Sequence, residues 1–228
     1  MKKLTIRTLG FILGGCLLWG CSNSKKIEPQ RYLALGDSYT IGESVAATER
    51  WPVQLADTLS ALGIPVESPQ IIARTGWTTD ELQTALESSA LNPPYDWVSL
   101  LIGVNNQYRG RTVSSFEPEF QALLEQAIEW SGNRPERVFV VSIPDWGAMP
   151  FAAGRDRSQI AQEIDAYNQA TQRICQNFNV HWIDITPISR QLETHPEWIA
   201  SDGLHPSGEQ YAAWVNQIFP WIKNAFDE

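Results

Sequence analysis

Short aliphatic runs alternate along the chain with longer stretches in which apolar positions recur every three or four residues. A run of period two or of unbroken apolar character suits a strand, and the longer period suits an amphipathic helix, so the alternation predicts repeated strand–helix units. Five strands are expected, at 31–36, 65–73, 96–103, 137–143 and 179–185. The third and fourth contain Val98-Ser99-Leu100-Leu101-Ile102 and Val138-Phe139-Val140-Val141, the nearly continuous runs of strands covered on both faces. Helix starts are expected at Thr78, Ser114 and Ser207, where a hydroxyl residue is followed three positions later by Glu or Gln in the manner of a capping box. A further helix is expected over 157–177. The class is therefore α/β: a three-layer α/β/α sandwich around a five-stranded parallel sheet. In such sheets ligands bind beyond the carboxyl ends of the strands. Ser38, Gly76, Asn105 and the segment 144–151 all follow expected strand ends, so one rim should collect the chemistry.

The first twenty residues depart from this pattern. Lys2, Lys3 and Arg7 precede an apolar stretch too short to span a bilayer comfortably, which reads as an export leader. Leu18-Trp19-Gly20-Cys21 is similar to a bacterial lipobox, and the polar tether Ser22-Asn23-Ser24-Lys25-Lys26 follows it. The expected organisation is a lipoprotein signal peptide at 1–20, a polar tether at 21–30 and one globular domain at 31–228, with Cys21 as the lipidated residue. Cys16 is the alternative cleavage position, and a plain secretory peptide or anchoring helix the alternative leader. Ser22 after the cysteine favours the outer membrane under the sorting rule of enteric bacteria.

At 228 residues and 43% hydrophobic content the chain is long enough for one substantial core. Cleavage after residue 20 removes three positive charges and no acids, moving the formal charge from −9 to −12, which argues against a nucleic-acid partner. Apart from the lipidated Cys21, Cys175 is the one cysteine beyond the leader, so no internal disulfide is expected and the thiol reads as a small core residue. No His-Glu-x-x-His run or paired-cysteine spacing points to a metal.

The candidate chemistry lies in two blocks far apart in sequence. Gly36-Asp37-Ser38 follows the first apolar run, and Asp202-Gly203-Leu204-His205-Pro206-Ser207 precedes the last amphipathic stretch. A serine needs a base to attack a carbonyl at neutral pH, and a histidine oriented by a carboxylate is its commonest supplier. Of the three histidines, His181 alternates within an expected strand and His195 sits in a short connection; only His205 has a carboxylate, Asp202, at a fixed short offset in a turn-rich loop. Asp37 reads as a brace for the turn rather than as a member of the triad. Trp77, Tyr108, Trp146 and Met149 fall in rim loops and are candidates to line an acyl or sugar pocket, or to pack there; Trp97, Trp182 and Trp214 lie within elements and are expected in the core.

Read with Gly76 and Gly103-Val104-Asn105, these blocks resemble the SGNH hydrolases, or GDSL esterases and lipases, whose four marker residues match Ser38, Gly76, Asn105 and His205 in order. Tyr39 stands where the older name has Leu, and Asn106 where the family usually has Asp. The resemblance implies the flavodoxin-like strand order 2-1-3-4-5. It also implies an oxyanion hole made by the amides of Ser38 and Gly76 with the Asn105 side chain, and Asn106 is the alternative donor if the loop register is shifted. No cofactor is expected. The implied activity is hydrolysis of carboxylic esters through an acyl-serine, and short acyl chains are expected because the small single domain shows no inserted lid segment. Carbohydrate O-acetylesterase, thioesterase and a catalytically silent glycan-binding lipoprotein are the alternatives. Expected partners are a small-molecule or glycan ester and, through the lipid, a membrane, with the chain a monomer. The Gly-x-Ser-x-Gly elbow of the larger α/β-hydrolase fold is absent.

Overall fold

A computed structural model describes residues 28–227; the leader, both leader cysteines and most of the tether lie outside them. The strands are β1 (Tyr32–Gly36), β2 (Gln70–Ala73), β3 (Trp97–Leu101), β4 (Val138–Val141) and β5 (His181–Ile183). The helices are α1 (Ser38–Ile41), α2 (Trp51–Ala61), α3 (Thr79–Glu87), α4 (Val104–Tyr108), α5 (Val113–Trp130), α6 (Arg157–Asn177), α7 (Thr186–Ser189) and α8 (Gly208–Asp227). All four strand pairings are parallel, in the order β2-β1-β3-β4-β5, as the resemblance implied.

The two faces of the sheet follow from the period of two. Phe139 points to the face covered by α2 and α8, its ring centroid 6.3 Å from Trp51 and 5.7 Å from Trp221. Helices α3, α5 and α6 cover the other face, with α5 running against β3. The residues of β1, β3 and β4 are buried throughout, which is why those segments read as unbroken apolar runs. Trp97 and Trp214 are core residues as expected, whereas Trp182 is only half-buried. Burial pushes the Cys175 thiol up to about 12, in keeping with a packing role.

All five strands are shorter than expected, and two of the boundary differences have clear physical reasons. The second strand is confined to Gln70–Ala73, at the sheet edge and half-buried, with only an isolated bridge from Gln30 to Val66 before it. Helix α5 starts two residues ahead of the position its sequence favoured, because Thr112 rather than Ser114 is the cap, its hydroxyl accepting the orphan amide of Ser115 at 3.2 Å. The other two starts hold: Glu81 accepts the Thr78 amide at 2.9 Å, and Ser207 accepts the Gln210 amide at 3.4 Å.

Candidate active site

The first strand delivers Ser38 to the carboxyl rim through a tight turn. A Cβ on Gly36 would collide with the Thr40 side chain and the Leu101 carbonyl, so only glycine lets the end of β1 lie against β3 and α1 together. Asp37 caps the helix that Ser38 opens: its Oδ1 accepts the Tyr39 amide at 3.0 Å, and its backbone carbonyl takes the amides of Thr40 and Ile41. Asp37 is fully buried, and burial raises its carboxyl to about 7 against the pull of the Tyr39 amide.

The base candidate comes from the loop before α8. His205 Nδ1 lies 2.6 Å from Asp202 Oδ2. The other carboxylate oxygen accepts the amides of Leu204 and His205 at 2.9 and 3.0 Å, so the aspartate is fixed by its own turn. Partial burial works to raise the Asp202 carboxyl, but bonds from the His205 ring, both amides and the Ser44 hydroxyl outweigh it and hold the group well below the usual carboxylate range. The His205 loop is tied down by a bridge between Ile199 and Pro206 and by the Phe151 amide donating to Gly203 O at 3.0 Å. The buried Tyr39 ring packs against the imidazole at a tilt, with centroids 5.5 Å apart.

The remaining histidines are elsewhere. His181 stacks on Trp221 at 4.4 Å, and burial lowers its pKa. His195 stacks on Trp198 at 3.8 Å at the surface, beside Glu197.

Gly76 has φ +87° with open space where a Cβ would stand, so the backbone conformation, not crowding, calls for glycine there. The two asparagines of α4 face opposite ways. Asn105 lines the cleft and spends one amide hydrogen on Trp77 O at 2.9 Å, leaving the second. Asn106 is fully buried and holds α3: its Oδ1 accepts the Thr79 amide at 3.1 Å and its Nδ2 donates to Thr79 Oγ1 at 2.6 Å. The Thr79 hydroxyl in turn donates to Glu119. An aspartate at 106 would take that hydroxyl proton for itself and leave Glu119 without it, so the departure at 106 is matched by a carboxylate on α5.

Ser38, Tyr39, Thr75, Gly76, Asn105 and His205 share one cleft of about 180 Å³ with a wall of Val104, Tyr108, Trp146, Phe151 and Leu204. Of the pocket candidates, Tyr108 and Trp146 line it; Trp77 and Met149 do not. Trp77 borders a groove beside α3, and Met149 is fully buried behind its own turn. Phe151 and Leu204 were missed, because an isolated apolar residue in a loop carries no period to show which way it points. Tyr108, Trp146 and Phe151 pack on one another with centroids 5.2 to 6.4 Å apart, and Trp146 is held by its Nε1 donating to Gln107 Oε1 at 2.7 Å.

A parallel sheet whose carboxyl rim gathers a serine, a carboxylate-paired histidine and a glycine at positive φ around one cleft defines an α/β protein of hydrolase type. The chain belongs to the GDSL-like lipase/acylhydrolase family, whose model matches residues 34–213. No curated protein sequence matches it. Its fold is similar to that of a lipase/acylhydrolase from Enterococcus faecalis, at 21% identity and TM-score 0.64, with 86% of this chain and 96% of that one covered. The psychrotrophic esterase EstA from Pseudoalteromonas sp. is similar at 17% identity and TM-score 0.61, covering 87% and 100%. Axe2, an acetylxylan esterase from Geobacillus stearothermophilus, is similar at 18% identity and TM-score 0.65, covering 86% and 96%.

Proposed function

We propose that the protein is a serine carboxylic-ester hydrolase for short acyl chains. The observation that carries this reading is the 2.6 Å bond from Asp202 to His205, which lines the same cleft as Ser38, Gly76 and Asn105. With Nδ1 engaged by Asp202, the ring presents Nε2 as the proton acceptor. Ser38 Oγ attacks the ester carbonyl as His205 takes its proton. The oxyanion is met by the amides of Ser38 and Gly76 and by the second hydrogen on Asn105 Nδ2. Collapse expels the alcohol, which leaves with the proton from His205, and water then attacks the acyl-serine by the same route in reverse. A phosphonate that phosphonylates active serines with loss of its leaving group should label Ser38 and be blocked by Ser38→Ala, which should also abolish ester turnover with the fold intact. Labelling at another residue, or normal turnover by the variant, would sink the assignment.

The cleft volume supports the preference for short chains, since about 180 Å³ is below the roughly 300 Å³ at which drug-sized ligands begin to fit. A second reading, deacetylation of a sugar, is favoured by Tyr108 and Phe151, which are 47% and 45% exposed beside the cleft and offer flat faces to a ring. An acetylated oligosaccharide turned over faster than a simple acetate ester would decide for it.

We also propose that the chain is exported and anchored by lipid on Cys21, on the strength of the leader and the tether. Labelled palmitate should enter the wild type and not Cys21→Ala. Incorporation lost instead in Cys16→Ala would move the cleavage upstream.

A further inference from the structure

Among the described residues, three that are not glycine have φ in the left-handed region: Asn133, Asn179 and Ser44. Asparagine visits that region readily, because its side chain bonds locally; serine has no such ease and bears the clash of Cβ with the backbone. Ser44, at φ +66°, is thus a strained residue where glycine would be free. It lies six positions after Ser38, just past the turn in which Gly42 and Glu43 return their amides to the Ser38 carbonyl. Its hydroxyl donates to Asp202 Oδ2 at 2.7 Å.

The other bonds to the Asp202 carboxylate come from within three residues of it, from Leu204 and His205. They make the aspartate and histidine one rigid unit but do not say where that unit stands relative to the nucleophile. The Ser44 hydroxyl reaches it from across 158 residues of sequence, and from the turn that closes the short helix opened by Ser38. We infer that Ser44 is a positioning residue, kept in a strained conformation because its hydroxyl anchors the Asp202–His205 unit to the turn that closes the nucleophile's own helix. The neighbouring Glu43 makes the matching tie on the other side, accepting a hydrogen bond from Thr75 beside Gly76. The inference rests on the triad reading given above.

Strain and function then pull in opposite directions, and three variants separate them. Ser44→Gly relieves the backbone and removes the hydroxyl: Tm should hold or rise while kcat falls about three- to tenfold with KM unchanged, a modest loss because the bond is open to water. Ser44→Thr keeps the hydroxyl on a side chain less suited to positive φ, so Tm should fall while kcat stays within about twofold. In an Asp202→Ala background the hydroxyl has no carboxylate to hold, and adding Ser44→Gly should cost nothing further. If Ser44→Gly keeps wild-type kcat, or costs as much with Asp202 absent as with it present, Ser44 is only a loop residue. A harmless Asp202→Ala overturns the triad reading and this inference with it; a damaging Asp202→Ala beside a harmless Ser44→Gly overturns the inference alone.

Discussion

Asp202 divides its carboxylate between two tasks: Oδ2 meets His205 Nδ1 at 2.6 Å, while Oδ1 accepts the amides of Leu204 and His205. The division makes Asp202→Asn worse than simple loss of charge. Two amide donors keep the amide oxygen at the Oδ1 position, so the new NH₂ faces the ring and forces Nδ1 to accept. The ring proton then sits on Nε2, where it blocks proton transfer from Ser38. We expect kcat on a short-chain chromogenic ester to fall about 10³- to 10⁴-fold in Asp202→Asn, and by less in Asp202→Ala, which leaves the ring free to choose its tautomer. The reverse ranking would mean that the carboxylate does not set the tautomer.

Asn105 and Asn106 are adjacent in sequence and should fail in different ways. A donor to the oxyanion strengthens between ground and transition states, so Asn105→Ala should lower kcat about 100- to 1,000-fold with little change in KM. Asn106→Ala strands the buried Thr79 amide and should cost about 1–3 kcal/mol of stability, read by denaturant unfolding, with a milder kinetic loss. Were Asn106→Ala the severe kinetic variant and Asn105→Ala near normal, the oxyanion hole would have to be reassigned.

These two residues also mark how far sequence reasoning reaches. The β3 and β4 runs are legible because strands buried on both faces must be apolar throughout, and Ser38, Gly76 and Asn105 are legible because each closely follows a strand end, while His205 is marked by the carboxylate three residues before it. Which side of a one-turn helix a residue faces is not legible from such offsets; that Asn106 turns inward depends on Thr79 and Glu119, which meet it only in three dimensions. The half-buried edge strand β2 and the start of α5 were misjudged for related reasons. An edge strand needs little apolar content, and Thr112, Ser114 and Ser115 all carry hydroxyls suited to capping. Ser44 gave no signal at all, since neither its φ nor its distant partner has a local sequence mark.

Phe151 and Tyr108 close one side of a small cleft, so they should limit the acyl or alcohol group that fits. Across a series of chromogenic esters from C2 to C16, wild type should prefer the shortest chains. Phe151→Ala should raise kcat/KM on C6 and C8 esters relative to C2, since removing the ring opens the wall without touching the reacting groups. Faster wild-type turnover of C12 or longer, or an unchanged chain-length profile in the variant, would show that another surface sets the length.

Asp37 gives the fold a pH dependence of its own. Its carboxyl is raised by burial from the ordinary 3.8 to about 7, so between those values the folded chain holds a proton that the unfolded chain has released. The contribution is therefore fully present below the unfolded pKa and is lost as pH rises through about 7. Asp37→Asn keeps an oxygen for the Tyr39 amide and cannot ionise. The Tm of Asp37→Asn minus that of wild type should thus become more positive from pH 5 to pH 8, whatever its value at pH 5. Other titrating groups largely cancel in the difference. Thermal unfolding of both proteins at the two pH values measures it, and a difference that stays constant would mean that Asp37 is already ionised in the folded protein at pH 5.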